Sequence, residues 1–191
     1  GVPVEVRQPR NMWADGAEDI DPETGYATIR SNAQNRYVPN FSYGKGKIVW
    51  NFESVNMPAG TDGFLYLNGD TWHWNGAANG AGWIQIRIYP QDSTTKSSFK
   101  LHYDWTAEEF TLEESMNDIK TIELDTKVDP EDATKVNVTF SINGKVYYSG
   151  KKHNAFDLDG HKGVIFYSGF SGPFSPECTI VFKSLDYEVY E

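Results

Sequence analysis

The stretch that decides the fold is Gly82–Tyr89, GWIQIRIY, which is followed after a turn by Ser98–Trp105, SFKLHYDW. Successive side chains of a strand point to opposite faces, so this alternation predicts that Ile84, Ile86 and Ile88 share one face. In the second run the apolar side chains alternate in the same way, at Phe99, Leu101, Tyr103 and Trp105. We therefore expect two neighbouring strands of one sheet, with these residues in the core.

The opposite face of the same strands carries polar and aromatic side chains, namely Trp83, Gln85, Arg87, Tyr89, Lys100, His102 and Asp104. A solvated sheet face usually carries short or flexible polar groups, whereas this one combines planar donors, rings and a histidine. That set suits polyhydroxy or anionic ligands, and we interpret the two strands as the floor of a glycan groove. An ordinary exposed face that holds an arginine and a tryptophan is the alternative.

The composition of the 191 residues indicates an all-β protein, because aromatic residues (15%) and glycine (17) are plentiful. Short apolar runs rich in Val, Ile, Phe and Tyr are typical of antiparallel sheets. The 17 basic and 27 acidic residues give a net charge of −10, which disfavours nucleic acid and anionic membrane surfaces as partners. No apolar run approaches the roughly 18 residues that span a bilayer, so we expect no membrane insertion.

About ten short strands at intervals of eight to twelve residues predict a single two-sheet antiparallel β-sandwich or jelly roll over residues 1–191. Residues 1–26 are expected to be extended and turn-rich, since Pro3, Pro9 and Pro22 disfavour a helix. The remaining predicted strands are Ala27–Asn32, Gly46–Val55, Phe64–Asn68, Thr121–Val128, Lys135–Ile142, Lys145–Ser149, Gly163–Gly169 and Thr179–Val189.

Three connecting segments give more local expectations. Asn143-Gly144 is a strong hairpin signal, because both residues tolerate the positive φ of a tight two-residue turn. The acidic segment Thr106–Met116 predicts a short helical turn or an excursion. Arg36 is expected in a polar loop.

The segment Gly69–Gly82, GDTWHWNGAANGAG, is predicted to be a long loop that places Trp72 and Trp74 beside small, flexible residues. Large aromatic side chains in such a loop have little local core to pack against, which favours a loop that lines a binding site. The alternative is that one of the tryptophans folds back over the edge of the sandwich.

Acidic residues alternate at Asp19, Asp21 and Glu23 and are followed by Gly25, a pattern similar to a calcium-binding loop. Calcium needs six to eight oxygen ligands, and this loop offers three carboxylates plus backbone carbonyls. The same residues are equally typical of a plain turn. The sequence therefore leaves a structural calcium site open.

The order of the segments carries a family resemblance. YGKGKIVWNFESV precedes a glycine-rich loop and WIQIRIY, and KVNVTFSINGKVYYSG comes later, before GVIFYSGFSG and TIVFKSLDYEV. From about Ala27 to its end the chain resembles the concanavalin A-like lectin and glucanase superfamily. The resemblance implies a jelly roll in which one sheet curves into a concave, sugar-holding face, although a fold of such breadth does not name a function.

The laminarinase-type glucanases of that superfamily carry Glu-x-Asp-x-Glu on the central concave strand, which supplies the nucleophile and the acid. The strand that resembles it here reads Gln85-Ile-Arg87-Ile-Tyr89. Retaining hydrolysis needs two carboxylates a fixed distance apart, and other residues occupy both positions. We therefore expect no hydrolysis by that machinery.

The alginate-lyase-like group uses an arginine-bearing strand, a Gln-Ile-His strand and a late tyrosine-bearing strand. Arg30 and Gln85 resemble parts of the first two, but Arg87 stands at the histidine position, and VIFYSGFSG lacks a tyrosine where the base is expected. In a lyase, Arg30, Gln85 or Arg87 would neutralise a uronate carboxylate and His102 or Tyr89 would be the base. We assign no catalytic residue from this partial match.

The charges of the polar face differ from those of the whole chain, because Arg30, Arg87, Lys100 and His102 are opposed by Asp104 alone. A cluster of cations on an acidic protein favours an anionic or strongly hydrogen-bonding partner. Salt bridges from Asp104 to neighbouring strands are the alternative.

Three functions stay open. The first is a noncatalytic, lectin-like carbohydrate-binding domain, secreted or at the cell surface, that recognises a polysaccharide and needs no cofactor, with a structural calcium left open. Its predicted ligand-binding residues are Trp72, Trp74, Trp83, Gln85, Arg87, Tyr89, Lys100, His102, Arg30 and Asn32. The second is a polysaccharide lyase acting on a polyuronate such as alginate, and the third is an adhesive or structural surface domain. The missing carboxylates and the missing late tyrosine favour binding over catalysis.

Overall fold

The computed structural model describes residues 3–7, 19–30, 34–37, 44–57, 64–70, 83–91, 93–101, 107–153, 165–171 and 179–190. Within them the chain forms two antiparallel β-sheets and a single turn of 3-10 helix, Met116–Asp118. The predicted two-sheet sandwich is confirmed. No helix within these ranges has the length and apolar character needed to cross a membrane.

The larger sheet, here called sheet A, has eight strands: β1 (Pro3–Arg7), β2 (Asp19–Ile20), β3 (Ala27–Arg30), β5 (Lys45–Asn56), β10 (Thr121–Val128), β11 (Lys135–Ile142), β12 (Lys145–His153) and β14 (Thr179–Tyr190). Their order is β12-β11-β10-β5-β14-β3-β2, and β1 also pairs with β14.

The smaller sheet, sheet B, has six strands: β4 (Gln34–Tyr37), β6 (Phe64–Asp70), β7 (Trp83–Ile88), β8 (Ser97–Leu101), β9 (Glu108–Phe110) and β13 (Ile165–Ser171). Their order is β4-β13-β6-β7-β8-β9, so β7 and β8 are neighbours, as the sequence predicted.

The core lies between the two sheets because the apolar side chains of each strand alternate with polar ones. Ile86 and Ile88 of β7 are completely buried, which confirms the predicted register. Phe99 of β8 stacks on Phe140 of β11 across the sandwich, with ring centroids 5.7 Å apart. Sheet A contributes to the core the buried residues Ile48, Trp50, Phe52, Val136, Val138, Phe140 and Ile142. The side chains of Ile84 and Leu101, and all of Tyr103 and Trp105, lie outside the described residues.

The Asn143-Gly144 hairpin is confirmed, with φ values of 50° and 80° at its two residues. The Asn143 side chain also connects this turn to the segment before β10. Its Oδ1 accepts hydrogen bonds from the backbone N–H groups of Lys120 (2.7 Å) and Thr121 (3.0 Å). Its Nδ2 donates to a carboxylate oxygen of Glu114 (2.7 Å). The turn therefore holds β10, β11 and β12 together at one end.

Several short segments differ from their expectations. Gln34–Tyr37, which contains Arg36, is not a loop but the edge strand β4, paired with β13. The acidic segment Thr106–Met116 contains the strand β9, and the predicted helical turn begins only at Met116. Within residues 1–26, which were expected to be extended, β1 pairs with the end of β14. The strand β9 is held by its pairing with β8 and by the buried side chain of Phe110.

A pair of bulges interrupts the central ladder of sheet A. The register runs from Ser54↔Val181 to Phe52↔Phe182 and then to Asn51↔Ser184, so each strand carries one extra residue. These residues are Glu53 and Lys183, and both are exposed. Their charged groups lie 3.9 Å apart. Beyond the bulges the two strands return to the same register.

Candidate functional site

The outer face of sheet B, meaning the side away from sheet A, carries the predicted polar residues of β7 and β8. Gln85, Arg87 and Tyr89 alternate with the buried Ile86 and Ile88, and all three are half-buried. Backbone register places Gln85 opposite Lys100 and Arg87 opposite Ser98, and both of these β8 residues are also half-buried. The structure thus brings Gln85, Arg87, Tyr89 and Lys100 together on one face.

Aromatic rings support Arg87 from the neighbouring strand. The Cζ atom of Arg87 lies 5.1 Å from the ring centroid of Phe64, at the start of β6. The ring of Phe64 in turn lies 4.9 Å from that of Tyr89. The buried Ser97 fixes the end of β7, because its Oγ accepts a hydrogen bond of 2.9 Å from the backbone N–H of Tyr89. The guanidinium therefore lies against the Phe64 ring, which itself packs on Tyr89.

The Nε atom of Arg87 is buried and has no hydrogen-bond acceptor among the residues that the structure describes. Buried polar groups are satisfied in the great majority of cases, and a charged donor left without an acceptor is costly. None of the ion pairs formed within the described residues includes Arg87. The arrangement keeps a cationic, planar donor at a half-buried position where an added acceptor would be stabilised.

The outer face of sheet A is arranged differently, because its polar groups contact one another. Lys47 lies between two carboxylates, 3.2 Å from Glu123 and 3.4 Å from Glu188. The hydroxyl of Tyr190 donates a hydrogen bond of 2.7 Å to Asp125. These contacts join β5, β10 and β14 across the sheet.

Two of these groups have altered proton affinity. Burial and the hydrogen bond to Asp125 raise the pKa of Tyr190 well above its usual value. Burial lowers the pKa of Lys47, but the hydrogen bonds and charges of Glu123 and Glu188 outweigh that effect, so the pKa is raised overall. In both cases the protonated form is stabilised by the fold.

The other residues predicted to bind the ligand are described only in part. Trp83 lies in β7, in register with Asp70, but its side chain is outside the described residues. Trp72, Trp74, His102 and Asn32 lie outside them altogether. Their roles remain predictions.

Arg30 is in a different place from the one that the sequence suggested. It ends β3 in sheet A, in register with Thr179, whereas Arg87 and Lys100 belong to sheet B. The expected row of cations on one sheet face therefore does not include Arg30, and a role for it in ligand binding remains a prediction. A second arginine of sheet B, besides Arg87, is Arg36, in β4.

The predicted calcium ligands lie around a tight turn. Asp19 is in β2, and Asp21 and Glu23 are exposed. Oδ1 of Asp21 accepts hydrogen bonds from the backbone N–H groups of Glu23 (2.8 Å) and Thr24 (3.3 Å), as in an ordinary Asx turn. The residues that the structure describes contain no group of three or more His, Cys, Asp or Glu side chains placed to hold a metal. Calcium binding by Asp19, Asp21 and Glu23 remains a prediction.

Sequence reasoning missed two features of sheet B, namely the ring contact that Phe64 makes on its outer face and the strand that contains Arg36. Phe64 was assigned to a strand, but its contact with Arg87 depends on the pairing of β6 with β7. Arg36 lies in a four-residue strand without apolar alternation, so periodicity could not find it. The signal for Phe64 was present, since it begins the alternating run FLYLN.

The chain matches no protein-family model, and no curated protein matches its sequence. Solved structures resemble it over nearly its whole length. The Bacillus licheniformis beta-glucanase is 11% identical, with a TM-score of 0.52 over 100% of this chain and 99% of that one. The carbohydrate recognition domain of Emp46p, as a point mutant, is 10% identical, with a TM-score of 0.57 over 95% and 97%.

A double mutant of alginate lyase Aly36B in complex with alginate tetrasaccharide is 13% identical, with a TM-score of 0.55 over 100% of both chains. At such low identity these likenesses show the fold and leave the function open. The two antiparallel sheets, their order and these solved structures together show that the chain has the concanavalin A-like jelly-roll fold expected from its sequence.

Proposed function

We propose that this protein is a secreted or cell-surface, lectin-like carbohydrate-binding domain that recognises a polysaccharide on the outer face of sheet B. The observation that carries the proposal is the buried Nε atom of Arg87, for which the described part of the chain supplies no acceptor. A sugar hydroxyl or a uronate carboxylate would supply that acceptor, and the planar guanidinium suits the two oxygens of a carboxylate.

The surroundings of Arg87 support a sugar rather than a small anion. Tyr89 and Phe64 offer aromatic surface beside the guanidinium, at the distances given above. The C–H face of a pyranose ring is apolar and packs on aromatic rings, while its hydroxyls need hydrogen-bonding groups. Gln85 and Ser98 provide such groups on the same face, and both are half-buried.

The chemistry of the face favours binding over hydrolysis. Neither β7 nor β8 contains an aspartate or a glutamate. Hydrolysis of a glycosidic bond by the usual mechanism needs two carboxyl groups that flank it. Polyuronate cleavage by a lyase is the alternative, and it is distinguished from binding by its unsaturated product.

The test is affinity electrophoresis of the protein through gels that contain single polysaccharides, both neutral and uronate-rich. Each polysaccharide is also incubated with the protein in solution while the absorbance of unsaturated uronate is followed. Arg87→Gln is compared with wild type, and Lys183→Gln, which removes a positive charge from the other sheet, is the matched control.

We expect at least one polysaccharide to retard the wild type and the control equally. Loss of a charge-assisted contact should weaken the binding of Arg87→Gln by about tenfold or more. Equal retardation of Arg87→Gln and wild type would contradict the proposal, and so would the absence of retardation by every polysaccharide. New absorbance of unsaturated uronate would show that the protein cleaves the polysaccharide as a lyase, and it would contradict the proposal of a noncatalytic binding domain.

A further inference from the structure

The turn Asn143-Gly144 between β11 and β12 carries a reactive pair of residues. Both residues are exposed. Among the described residues, no atom apart from the chain neighbours of Gly144 lies within 4 Å of the place where a Cβ would stand, so this side of the turn is open to water. An asparagine followed by glycine deamidates readily, because glycine has no side chain to hinder its own backbone nitrogen. The turn is therefore a candidate site of chemical modification.

The side-chain amide of Asn143 is fully hydrogen-bonded. Its Oδ1 accepts from the backbone N–H groups of Lys120 and Thr121, at the distances given above. Its Nδ2 donates to the carboxylate of Glu114 (2.7 Å) and to the backbone carbonyl of Asp118 (2.8 Å). Both lone pairs of the oxygen and both hydrogens of the nitrogen are thereby used. Because backbone N–H groups can only donate, the orientation of the amide is fixed.

The partners of this amide belong to the connection between the two sheets. Residues 111–120, here called the crossover, join β9 of sheet B to β10 of sheet A. The same hairpin contacts the crossover at Glu113, which forms an ion pair with Lys145 and whose backbone N–H donates to the hydroxyl of Tyr147 (3.2 Å). The β11–β12 hairpin thus holds the polar side of the crossover, and the Asn143 amide is the part of it that can react.

Deamidation of the turn would remove two of these contacts. The backbone nitrogen of Gly144 attacks Cγ of Asn143 and loses its proton, ammonia leaves, and water opens the resulting succinimide to aspartate or isoaspartate. The new carboxylate has two oxygens and no donor. In an aspartate the oxygen that replaces Nδ2 would face the carboxylate of Glu114 and the carbonyl of Asp118. Like charges at that distance repel, and the carbonyl loses its donor.

The docked crossover also opposes the reaction itself. For the attack, the side chain of Asn143 must turn its Cγ onto the following backbone nitrogen, and this rotation breaks the hydrogen bonds of both Oδ1 and Nδ2. A folded protein reaches such a state only by local opening, so the rate of deamidation follows the population of the opened turn.

We propose that Asn143-Gly144 is a deamidation site controlled by the crossover. The docked crossover keeps the amide unreactive, and a turn that has opened and reacted no longer holds the crossover as tightly. Because the reaction is irreversible, the molecule stays altered after a single opening event. This inference is independent of the proposed function, since it concerns the hairpin of sheet A and leaves the outer face of sheet B unchanged.

The test follows deamidation by peptide mapping and mass spectrometry during incubation at slightly alkaline pH, in native buffer and in urea. The other Asn-Gly pairs of the chain, which begin at Asn68, Asn75 and Asn79, are references in the same digest. Two variants are compared with the wild type. Glu114→Ala removes one partner of the amide, and Glu131→Ala removes an exposed glutamate at the opposite end of β11 as the matched control.

In urea, we expect Asn143 to react at a rate similar to those of the three reference pairs. In native buffer its reaction should be slower than in urea by about tenfold or more, because opening breaks several hydrogen bonds. Glu114→Ala should raise the native rate at Asn143 by about fivefold and leave the rate in urea unchanged. Glu131→Ala should react like the wild type under both conditions.

A second measurement concerns the product. Asn143→Asp should raise the equilibrium constant of unfolding in urea by about tenfold. In a Glu114→Gln background the same change should cost a smaller factor, because the amide of the glutamine can donate to the new carboxylate. Wild type that has deamidated in the folded state, separated by its added negative charge, supplies the same product without the need to refold.

Three results would overturn the inference. They are a native rate at Asn143 equal to the rate in urea, a native rate that Glu114→Ala leaves unchanged, and a deamidated protein as stable as the wild type. An unreactive Asn143 in urea would also overturn it, because the turn would then not be a deamidation site. None of these results bears on Arg87, so the proposed function stands or fails separately.

Discussion

The outer faces of the two sheets carry similar types of polar and aromatic residue, but the contacts that these residues make are different. On sheet A, Lys47 contacts two glutamates and Tyr190 donates to Asp125, so these polar groups find their partners within the protein. On sheet B, Arg87 lies over the ring of Phe64, and its buried Nε has no acceptor within the described ranges. The difference teaches that polar content alone does not distinguish the two faces. Under the proposed function, the distinguishing feature is a donor that the fold holds in place without supplying its acceptor.

The largest effect on binding is expected from the two tryptophans of the loop that the sequence predicts beside sheet B. Replacement of Trp72 and Trp74 together by alanine should abolish polysaccharide retention, because sugar rings lose their stacking surface. The free energy of unfolding should stay within about 1 kcal/mol of wild type, the usual range for surface positions. Affinity electrophoresis and urea denaturation measure the two quantities. A large loss of stability would instead assign the tryptophans to the core.

The next prediction concerns the type of cation on sheet B. Arg87→Lys keeps the charge but loses the planar pair of donors, so binding of a uronate-rich polysaccharide should weaken by about tenfold. Wild-type binding should also weaken as salt rises, since partly exposed charges are screened over about 8–10 Å. Titrations of both proteins at low and high salt measure these effects. If the affinity does not change with salt concentration, and if Arg87→Lys binds as tightly as the wild type, recognition would depend on the aromatic groups and not on the charge of Arg87.

On sheet A, loss of one contact should affect stability and leave binding unchanged. Tyr190→Phe removes the hydrogen bond to Asp125 and should lower the free energy of unfolding by about 1 kcal/mol. Urea denaturation at neutral pH measures this loss, and polysaccharide retention on the same gels provides the contrast with sheet B. A drop in retention without a change in stability would show that sheet A also contacts the ligand.

The same tyrosine predicts a dependence on alkaline pH. Its pKa is raised in the folded state by burial and by Asp125, so the stabilisation is complete below the pKa of about 10 of an unfolded tyrosine. As pH rises beyond that value the unfolded chain loses its proton first, and stability falls. Unfolding free energies of wild type and Tyr190→Phe between pH 8 and 11 should therefore converge. A constant difference would contradict the linkage.

The smallest effect is expected at Lys47. Lys47→Met removes two ion pairs that are partly open to solvent, which should lower the free energy of unfolding by no more than about 1 kcal/mol. High salt should reduce the difference between the variant and the wild type. Thermal unfolding at two salt concentrations measures both, and a loss several times larger would mean that Glu123 and Glu188 repel each other strongly without the lysine.

The sequence predicted the parts of the fold in which apolar and polar residues alternate over several positions. Ile86, Ile88 and Phe99 were placed in the core because a strand with one buried face has a period of two. The Asn143-Gly144 turn was predicted because its positive φ values restrict the residue types that can form it. These signals are local, so no knowledge of the partner strand was needed.

The parts that could not be predicted depend on the partner. Glu108–Phe110 and Gln34–Tyr37 are too short to show an alternating pattern, and they form strands by pairing with β8 and β13. For the same reason, the sheet in which each arginine lies could not be predicted from the sequence. Arg30 and Arg36 are six residues apart in the sequence, and only the path of the chain between the sheets decides which of them accompanies Arg87.

The two bulges of sheet A also determine where the chain can change its length. A deletion inside a strand exchanges the faces of every residue that follows, and in the second half of β14 it would turn Asp186 and Glu188 towards the core. Glu53 and Lys183 are exceptions, because each is the extra residue of its strand. Removing both together leaves the alternation of β5 and β14 intact on either side. At the centre of sheet A, Glu53 and Lys183 are therefore the pair of positions at which the two strands can be shortened together without reversing the faces of the residues that follow.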